Sequence, residues 1–153
     1  MRLMVVGPCG VGKSSVILRY IYDKFVSNID PTSEDIHRKV CLIDSTHVAL
    51  DIFDSCDLGD PANTPRYLQS FVGFVCVYSI SDDYSLESLK QYIDNIKRAC
   101  TGKATPFIVI GNKCDLECDR KVTPGEGLRF AANYRRLMVF TKFQQNVALT
   151  YPR

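Results

Sequence analysis

Eight residues near the N terminus, GPCGVGKS from Gly7 to Ser14, restrict the fold of this chain more than any other stretch. They match the pattern GxxxxGK[ST] and stand between a short apolar run, RLMVV, and a segment whose apolar residues have helical spacing. Glycines in such a turn let backbone N–H groups converge on an anion, and the helix that follows directs its positive end at the same point. The stretch therefore predicts a phosphate-binding loop between a first strand and a first helix.

The last two residues of the motif have separate roles in this interpretation. Lys13 would reach the β- and γ-phosphates of a nucleotide, and the Ser14 hydroxyl would be a ligand of Mg²⁺. A glycine-rich turn that only connects a strand to a helix is the alternative, and the flanking elements argue against it. The predicted phosphate-binding residues share the loop and the first helical turn: Gly7, Cys9, Gly10, Val11, Gly12, Lys13, Ser14 and Ser15.

A second polar motif, Asn112-Lys113-Cys114-Asp115, indicates which base the nucleotide carries. It follows the apolar run PFIVI, and ligand-binding loops in parallel sheets follow the carboxyl ends of strands. The Asp115 carboxylate can accept hydrogen bonds from both N1–H and the 2-amino group of guanine, whereas adenine offers no such donor pair. With the phosphate loop, the motif predicts a guanine-nucleotide site to which Asn112, Lys113 and Asp115 contribute.

Strand-like and helix-like segments alternate along the 153 residues. We expect an α/β fold of the P-loop NTPase type, with a doubly wound, mostly parallel six-stranded sheet, flanking helices and one domain over residues 1–153. The predicted helices cover residues 13–23, 84–100 and 124–134, and the predicted strands cover residues 2–6, 37–43, 47–53, 73–80, 106–110 and 137–140, with a hairpin at 44–46.

Composition excludes several other classes of function. The net charge is +2 and basic residues do not cluster, so we expect no nucleic-acid partner. The seven cysteines include no CxxC pair, which is typical of reduced thiols in a cytoplasmic protein. No apolar run approaches the roughly 18 residues of a membrane span, and neither terminus carries a lipidation signal. We therefore expect no intrinsic membrane anchor.

Over residues 2 to about 147 the sequence resembles the Ras superfamily of small GTPases, and within it the Ras/Rap branch. Besides the two motifs above, the resemblance includes Phe25, the stretch DPTSED that contains Thr32, and Asp54 at the end of LDIFD, all at the family's spacing. It implies that Phe25 stacks on the base and that Thr32 binds Mg²⁺ in the triphosphate state. It also implies that Asp54 holds the metal through water.

The resemblance also covers the residues that follow the last predicted strand, and it implies protein partners. Thr141 and Lys142 stand where the family has an Ala-Lys pair that contacts the base. A signalling switch of this kind binds effector proteins through residues 30–38, and an exchange factor and a GTPase-activating protein regulate it. Ser33 replaces an isoleucine of Ras and Rap that packs on effectors, so the resemblance does not identify the effector.

The residues after Asp54 depart from the family pattern. The family reads Asp-Thr-Ala-Gly-Gln, and this chain reads DSCDL, with Asp57 and Leu58 in the last two positions. The family glycine contacts the γ-phosphate and the glutamine orients the attacking water. A carboxylate at position 57 repels a polyanion, and Leu58 cannot hydrogen-bond water. Cys9 also replaces a glycine of the phosphate loop. No catalytic residue is expected to be intact, and we predict a switch that depends on GTP, GDP and Mg²⁺, with impaired hydrolysis.

Three alternatives remain open from the sequence. The first is a competent GTPase to which a partner supplies the missing catalytic groups. The second is a P-loop kinase, against which the guanine motif and Thr32 argue. The third is a remnant that binds no nucleotide.

The C-terminal end also departs from the family. The chain stops at Arg153, soon after the family's last helix should begin, so we expect that helix to be largely missing. Its absence would leave one apolar face of the sheet open. We expect either self-association through that face or a monomer that unfolds without nucleotide and Mg²⁺.

Overall fold

Six strands form one sheet in the order β2-β3-β1-β4-β5-β6. The structure, a computed structural model, describes residues 1–23, 36–55 and 64–134, together with the backbone of 137–140. Strand β2 pairs antiparallel with β3, and every other neighbouring pair is parallel. The strands are β1 (Arg2–Val6), β2 (Ile36–Ile43), β3 (Thr46–Asp54), β4 (Gly73–Ser79), β5 (Phe107–Asn112) and β6 (Leu137–Phe140).

Three of the helices lie where the sequence pattern predicts them. They are α1 (Lys13–Tyr22), α3 (Asp83–Ala99) and α4 (Pro124–Ala132). Two further elements were not predicted, the four-residue helix α2 (Pro65–Leu68) and a 3₁₀ turn (Glu117–Asp119). Both are too short to show a helical period, so the pattern could not reveal them.

The predicted hairpin joins β2 to β3 through a two-residue turn. The pairing runs from Ile36 opposite Phe53 to Ile43 opposite Thr46. Asp44 and Ser45 between them have φ values of 47° and 64°, the left-handed conformation at both turn positions that matches the twist of antiparallel strands. This turn sets the register of the antiparallel edge of the sheet.

Both faces of the sheet carry apolar cores, which confirms the doubly wound fold. Side chains alternate along β1, so Met4 packs on one face with residues of α3, whereas Val5 packs on the other face with Val16 and Ile17 of α1. The predicted α/β class and six-stranded sheet are therefore confirmed.

The last-helix prediction falls on residues 141–153, outside the described residues. None of the helices within the described ranges is long and apolar enough to cross a membrane.

Candidate nucleotide site

The loop after β1 passes so close to the neighbouring strands that two of its positions require glycine. A Cβ atom at Gly7 would overlap the backbone carbonyl oxygen of Val77 in β4. Gly12 has a φ of 90°, and a Cβ there would overlap the side-chain amide of Asn112 in β5. The predicted glycine-rich turn thus lies against the carboxyl ends of β4 and β5, which is where parallel sheets bind ligands.

The loop ends at a helix terminus suited to an anion. Helix α1 begins at Lys13, and no side chain among the described residues caps its N terminus or places a negative charge in its first turn. The first N–H groups of a helix have no partner inside the helix, and the helix dipole makes this end positive. Ser14 lies half-buried in the same turn. The backbone geometry therefore fits the phosphate groups of a nucleotide.

Lys13 is buried against this loop rather than extended into solvent. Lys13 is only 8% exposed. Its Nζ donates hydrogen bonds to the carbonyl oxygens of Gly7 at 2.9 Å and Pro8 at 3.2 Å. These bonds hold the ammonium group at the loop, where it would meet the charge of bound phosphates. Cys9, in contrast, is exposed.

Asp54 lies at the carboxyl end of β3 and is 7% exposed. It is opposite Val5 in the parallel β1–β3 pairing, beside the strand that leads into the phosphate loop. The following residue fixes this approach, since Ser55 Oγ donates to the Val5 carbonyl oxygen at 2.7 Å. A carboxylate here and the Ser14 hydroxyl supply the hard oxygen ligands that Mg²⁺ prefers, so the residues present fit the predicted metal.

The loop after β5 is tied to the phosphate loop by a side chain. Asn112 Nδ2 donates to the carbonyl oxygen of Val11 at 2.9 Å and to that of Gly12 at 3.4 Å, across 101 sequence positions in the first case. This bond joins the two loops that the sequence motifs assign to phosphate and base. Sequence reasoning assigned Asn112 to the site, but it could not reveal that its amide connects the loops.

The tip of the second loop leaves Asp115 exposed. Lys113 adopts a left-handed φ of 63°, and the Leu116 N–H donates to the Lys113 carbonyl oxygen at 2.9 Å, which closes a turn around Asp115. A non-glycine residue in this conformation carries backbone strain, and such strain is found at functional sites. The turn leaves the Asp115 carboxylate accessible to the donors of a base.

One contact behind this loop had no clear signal in the sequence. Tyr78 of β4 is buried, and its hydroxyl occupies the space that Cβ atoms at Gly111 and Gly127 would fill. Burial raises the pKa of the Tyr78 phenol above its ordinary value. The two glycines therefore let β5 and α4 approach a tyrosine behind the loop that contains Asp115.

Seven of the residues to which the sequence analysis assigns a contact or a lost function fall outside the described residues. They are Phe25, Thr32, Ser33, Asp57, Leu58, Thr141 and Lys142. Their assigned contacts with the base and the metal, and the loss of catalytic groups after Asp54, stay predictions.

A mostly parallel sheet with a phosphate loop after its first strand and a connected polar loop after its fifth defines a P-loop nucleotide-binding protein. A family model described as Ras family matches residues 2–149, and the chain belongs to the Ras family. The family predicted from the motifs is confirmed.

Individual relatives agree with this assignment. The chain is 39% identical over 126 residues to Ras-related protein Ral-a of Drosophila melanogaster. The aligned region covers 82% of this chain and 63% of Ral-a. It is 36% identical over 149 residues to Ras-like protein 2 of Mucor circinelloides f. lusitanicus, covering 97% of this chain and 75% of that protein. It is also 39% identical over 151 residues to Ras-like protein rasU of Dictyostelium discoideum, and the aligned region covers 96% of this chain and 70% of rasU.

Proposed function

We propose that this chain binds GTP and GDP with Mg²⁺ and acts as a signalling switch whose hydrolysis of GTP is impaired. The observation that carries the proposal is the bond from the Asn112 amide to the carbonyl oxygens of Val11 and Gly12. A nucleotide must reach from a phosphate site to a base site, and this bond fixes the distance between the two loops. Membership of the Ras family supports the same ligand.

Each part of the site has a role in this proposal. Lys13 and the N–H groups at the start of α1 bind the phosphates, and Asp115 accepts hydrogen bonds from guanine. Ser14 and Thr32 would be ligands of Mg²⁺ and Asp54 would hold the ion through water. The ion, when bound, would neutralise negative charge of the phosphates. Phe25, Thr141 and Lys142 complete the base contacts.

Impaired hydrolysis is proposed from three side chains. Asp57 would bring a negative charge toward the γ-phosphate, and Leu58 cannot orient a water molecule. Cys9 adds a side chain to the phosphate loop, and it is exposed at the site. These changes leave the nucleotide-binding residues in place but remove groups that act on the transition state. We therefore expect nucleotide affinity to be retained while the rate of GTP hydrolysis falls.

The experiment that tests the binding proposal identifies the nucleotide carried by the purified chain. The protein is denatured, and the released ligand is separated by chromatography. We expect GDP or GTP. A chain that carries adenine nucleotide, or that takes up ATP and GTP equally, would contradict the assignment of the base.

The rate is tested by single-turnover hydrolysis of GTP. We expect the wild type to be slower than the roughly 4 × 10⁻⁴ s⁻¹ of Ras. The double change Asp57→Gly with Leu58→Gln is expected to raise the rate, because it restores the donor to the γ-phosphate and the water-orienting amide, and Cys9→Gly is expected to add to it. Leu128→Gln, at an exposed position of α4, is the matched control. A wild-type rate at or above that of Ras would exclude impairment.

Partners are proposed from the family. An effector would contact residues 30–38, of which Ile36 and Arg38 lie exposed on β2, the edge strand of the sheet. An exchange factor and a GTPase-activating protein would regulate a cytoplasmic, single-domain switch. Adding cell lysate to the hydrolysis assay tests whether a partner supplies the missing catalytic groups, since acceleration would show a GTPase that is competent only in a complex.

A further inference from the structure

Residues 65–72, here called the α2 segment, lead from α2 into β4. The helix is a single turn, in which the Thr64 hydroxyl accepts a hydrogen bond from the Tyr67 N–H at 3.3 Å. One turn of helix has almost no stability of its own. Any fixed conformation of this segment must therefore come from contacts with the rest of the molecule.

Aromatic packing supplies the first set of contacts. Phe71 is fully buried, and its ring lies edge-on to Phe53 at 4.9 Å and to Tyr67 at 5.2 Å between ring centroids. It also lies 5.9 Å from Phe74 of β4. Edge-to-face pairs at these distances add to the free energy of apolar burial. The segment is thus attached to β3 and β4 through one buried ring.

Arg2 of β1 supplies the second set. Its guanidinium carbon lies 4.5 Å from the centroid of the Phe53 ring and 4.9 Å from that of Phe71, and its Nη1 donates to Ser70 Oγ at 2.9 Å. The backbone of the same residue takes part, because the Val72 N–H donates to the Arg2 carbonyl oxygen at 2.9 Å. A cation between two aromatic rings holds both rings in place.

The C-terminal end of α3 and the loop that follows it supply the third set of contacts. Lys103 Nζ donates to the carbonyl oxygens of Gln69 and Phe71, each at 2.8 Å. In return, Gln69 Nε2 donates to the carbonyl oxygen of Ala99, the last residue of α3, at 2.8 Å. The carbonyl oxygens of Pro65, Tyr67 and Leu68 in the short helix accept from backbone N–H groups. The side-chain bonds therefore attach the residues that follow the helix to the end of α3 and the loop after it.

These contacts come from β1, β3, β4, the end of α3 and the loop that follows it. None of the side chains that make them belongs to the phosphate loop or to the loop after β5. We infer that the α2 segment keeps one conformation in the GTP-bound and GDP-bound states, so that nucleotide-dependent change between β3 and β4 is confined to residues before Pro65. In GTPases the γ-phosphate and Mg²⁺ order the switch segments. A partner that distinguishes the two states must then contact residues before Pro65.

The inference rests on the proposed binding of guanine nucleotide and is tested by hydrogen exchange with mass spectrometry. The full chain is loaded with Mg²⁺ and either GDP or a non-hydrolysable GTP analogue. We expect peptides over residues 66–72 to take up deuterium at rates equal within about twofold in the two states. A difference of about tenfold or more there would overturn the inference.

Binding is checked in the same experiment by peptides over residues 7–15. Protection of these peptides in both loaded forms, relative to nucleotide-free protein, shows that the site is occupied. Missing protection would overturn the proposed function itself. Protection with a state-dependent α2 segment would overturn only the inference.

Two substitutions test whether the named contacts hold the segment. Lys103→Ala removes two hydrogen bonds without touching the core, and we expect exchange of the amides of residues 69–72 to become roughly tenfold faster. Lys90→Ala, at an exposed lysine of α3, is the matched control and should leave the exchange rates of these amides unchanged.

Phe71→Leu keeps an apolar side chain but removes the ring contacts. We expect deuterium uptake over residues 66–72 in this variant to differ between the GDP-bound and GTP-bound states. Exchange like the wild type in both Lys103→Ala and Phe71→Leu would overturn the anchoring.

Discussion

Asn112, the last residue of β5, and Asp115, in the loop after it, lie three positions apart and are directed to different parts of the candidate site. Asp115 is exposed at the tip of the turn, where its carboxylate can meet a ligand. Asn112 is directed back at the protein and binds the carbonyl oxygens of Val11 and Gly12. Replacing Asp115 should therefore change the selectivity for the base, whereas replacing Asn112 should change the coupling of the two loops.

The change Asp115→Asn is expected to weaken GTP binding by about 100-fold or more, because an amide cannot accept from both guanine donors. The amide N–H₂ group can instead donate to the C2 carbonyl of xanthine, so XTP should bind better than GTP. Competition of GTP and XTP for the loaded protein measures the preference. Asp119→Asn, in the exposed 3₁₀ turn, is the control. An unchanged preference in Asp115→Asn would show that this carboxylate does not contact the base.

The change Asn112→Ala removes the side-chain donor to the carbonyl oxygens of Val11 and Gly12, of which the Gly12 oxygen still accepts from the Val16 N–H. We expect the free energy of unfolding to fall by about 1–3 kcal/mol and nucleotide to dissociate faster. Denaturant unfolding and the release of a fluorescent nucleotide measure the two effects. Asn133→Ala is the control, since Asn133 ends α4 through its backbone alone. Wild-type stability together with a wild-type release rate would rule out the coupling.

At the scale of elements, α4 is fixed at its start by a reciprocal capping box. The Thr123 hydroxyl accepts from the Glu126 N–H, and the Glu126 carboxylate accepts from the Thr123 N–H at 2.7 Å. Pro124 occupies the first helical position, where its missing N–H costs nothing. The cap gives α4 a defined start in the chain segment that follows the base-binding loop.

This cap makes the stability of α4 depend on pH. Hydrogen bonds from the Thr123 hydroxyl and then from its backbone N–H lower the pKa of Glu126 below its ordinary value of 4.5. A lowered folded-state pKa contributes stability that is present above the unfolded pKa and is lost as the pH falls through the folded one. Glu126→Gln should thus be less stable than the wild type near pH 7.

Denaturant unfolding at a series of pH values measures this difference. We expect the gap between the wild type and Glu126→Gln to be constant above about pH 5.5 and to shrink as the pH falls below 4.5. Glu87→Gln, at an exposed position of α3, should show no such gap. A gap that does not change with pH would exclude titration of Glu126 as its cause.

At the scale of the whole molecule, the site unites elements from both halves of the chain. The phosphate loop and Asp54 come from β1 and β3, and the base-binding loop comes from β5. A ligand that contacts all of them binds only the folded chain. Bound nucleotide should therefore contribute to the stability of the whole fold.

Removal of Mg²⁺ and nucleotide with EDTA is expected to lower the Tm by roughly 10 °C, the effect of losing a ligand present at about 1,000 times its Kd. Differential scanning calorimetry with and without EDTA measures the shift, and added Mg²⁺ with GDP should restore it. An equal Tm in both conditions would contradict a coupling of nucleotide to folding.

Light scattering on the same samples tests self-association. On the α1 side of the sheet, Leu3, Val75 and Ile108 are only partly buried. We expect a larger species in EDTA than with nucleotide, because loosening of the fold exposes this apolar surface further. A monomer in both conditions would exclude self-association and leave the other expectation, a monomer that unfolds without nucleotide and Mg²⁺.

Local features of the sequence were enough to predict the class of fold and the family. The glycine spacing of the phosphate loop, the run Asn112–Asp115 and the alternation of apolar segments act over a few residues, so they can be interpreted without knowing which segments are neighbours in space. The strand and helix boundaries agree with the structure within a few residues, apart from α2 and the 3₁₀ turn.

The tertiary structure alone decided how these parts act on one another. The bond from Asn112 to the phosphate loop, the position of Tyr78 behind Gly111 and Gly127, and the attachment of Phe71 beneath Arg2 all join residues far apart in the chain. No periodicity links such residues, because their contact depends on the order and register of the strands that carry them. Packing between distant segments, rather than local conformational preference, therefore determines which loops of this protein are coupled.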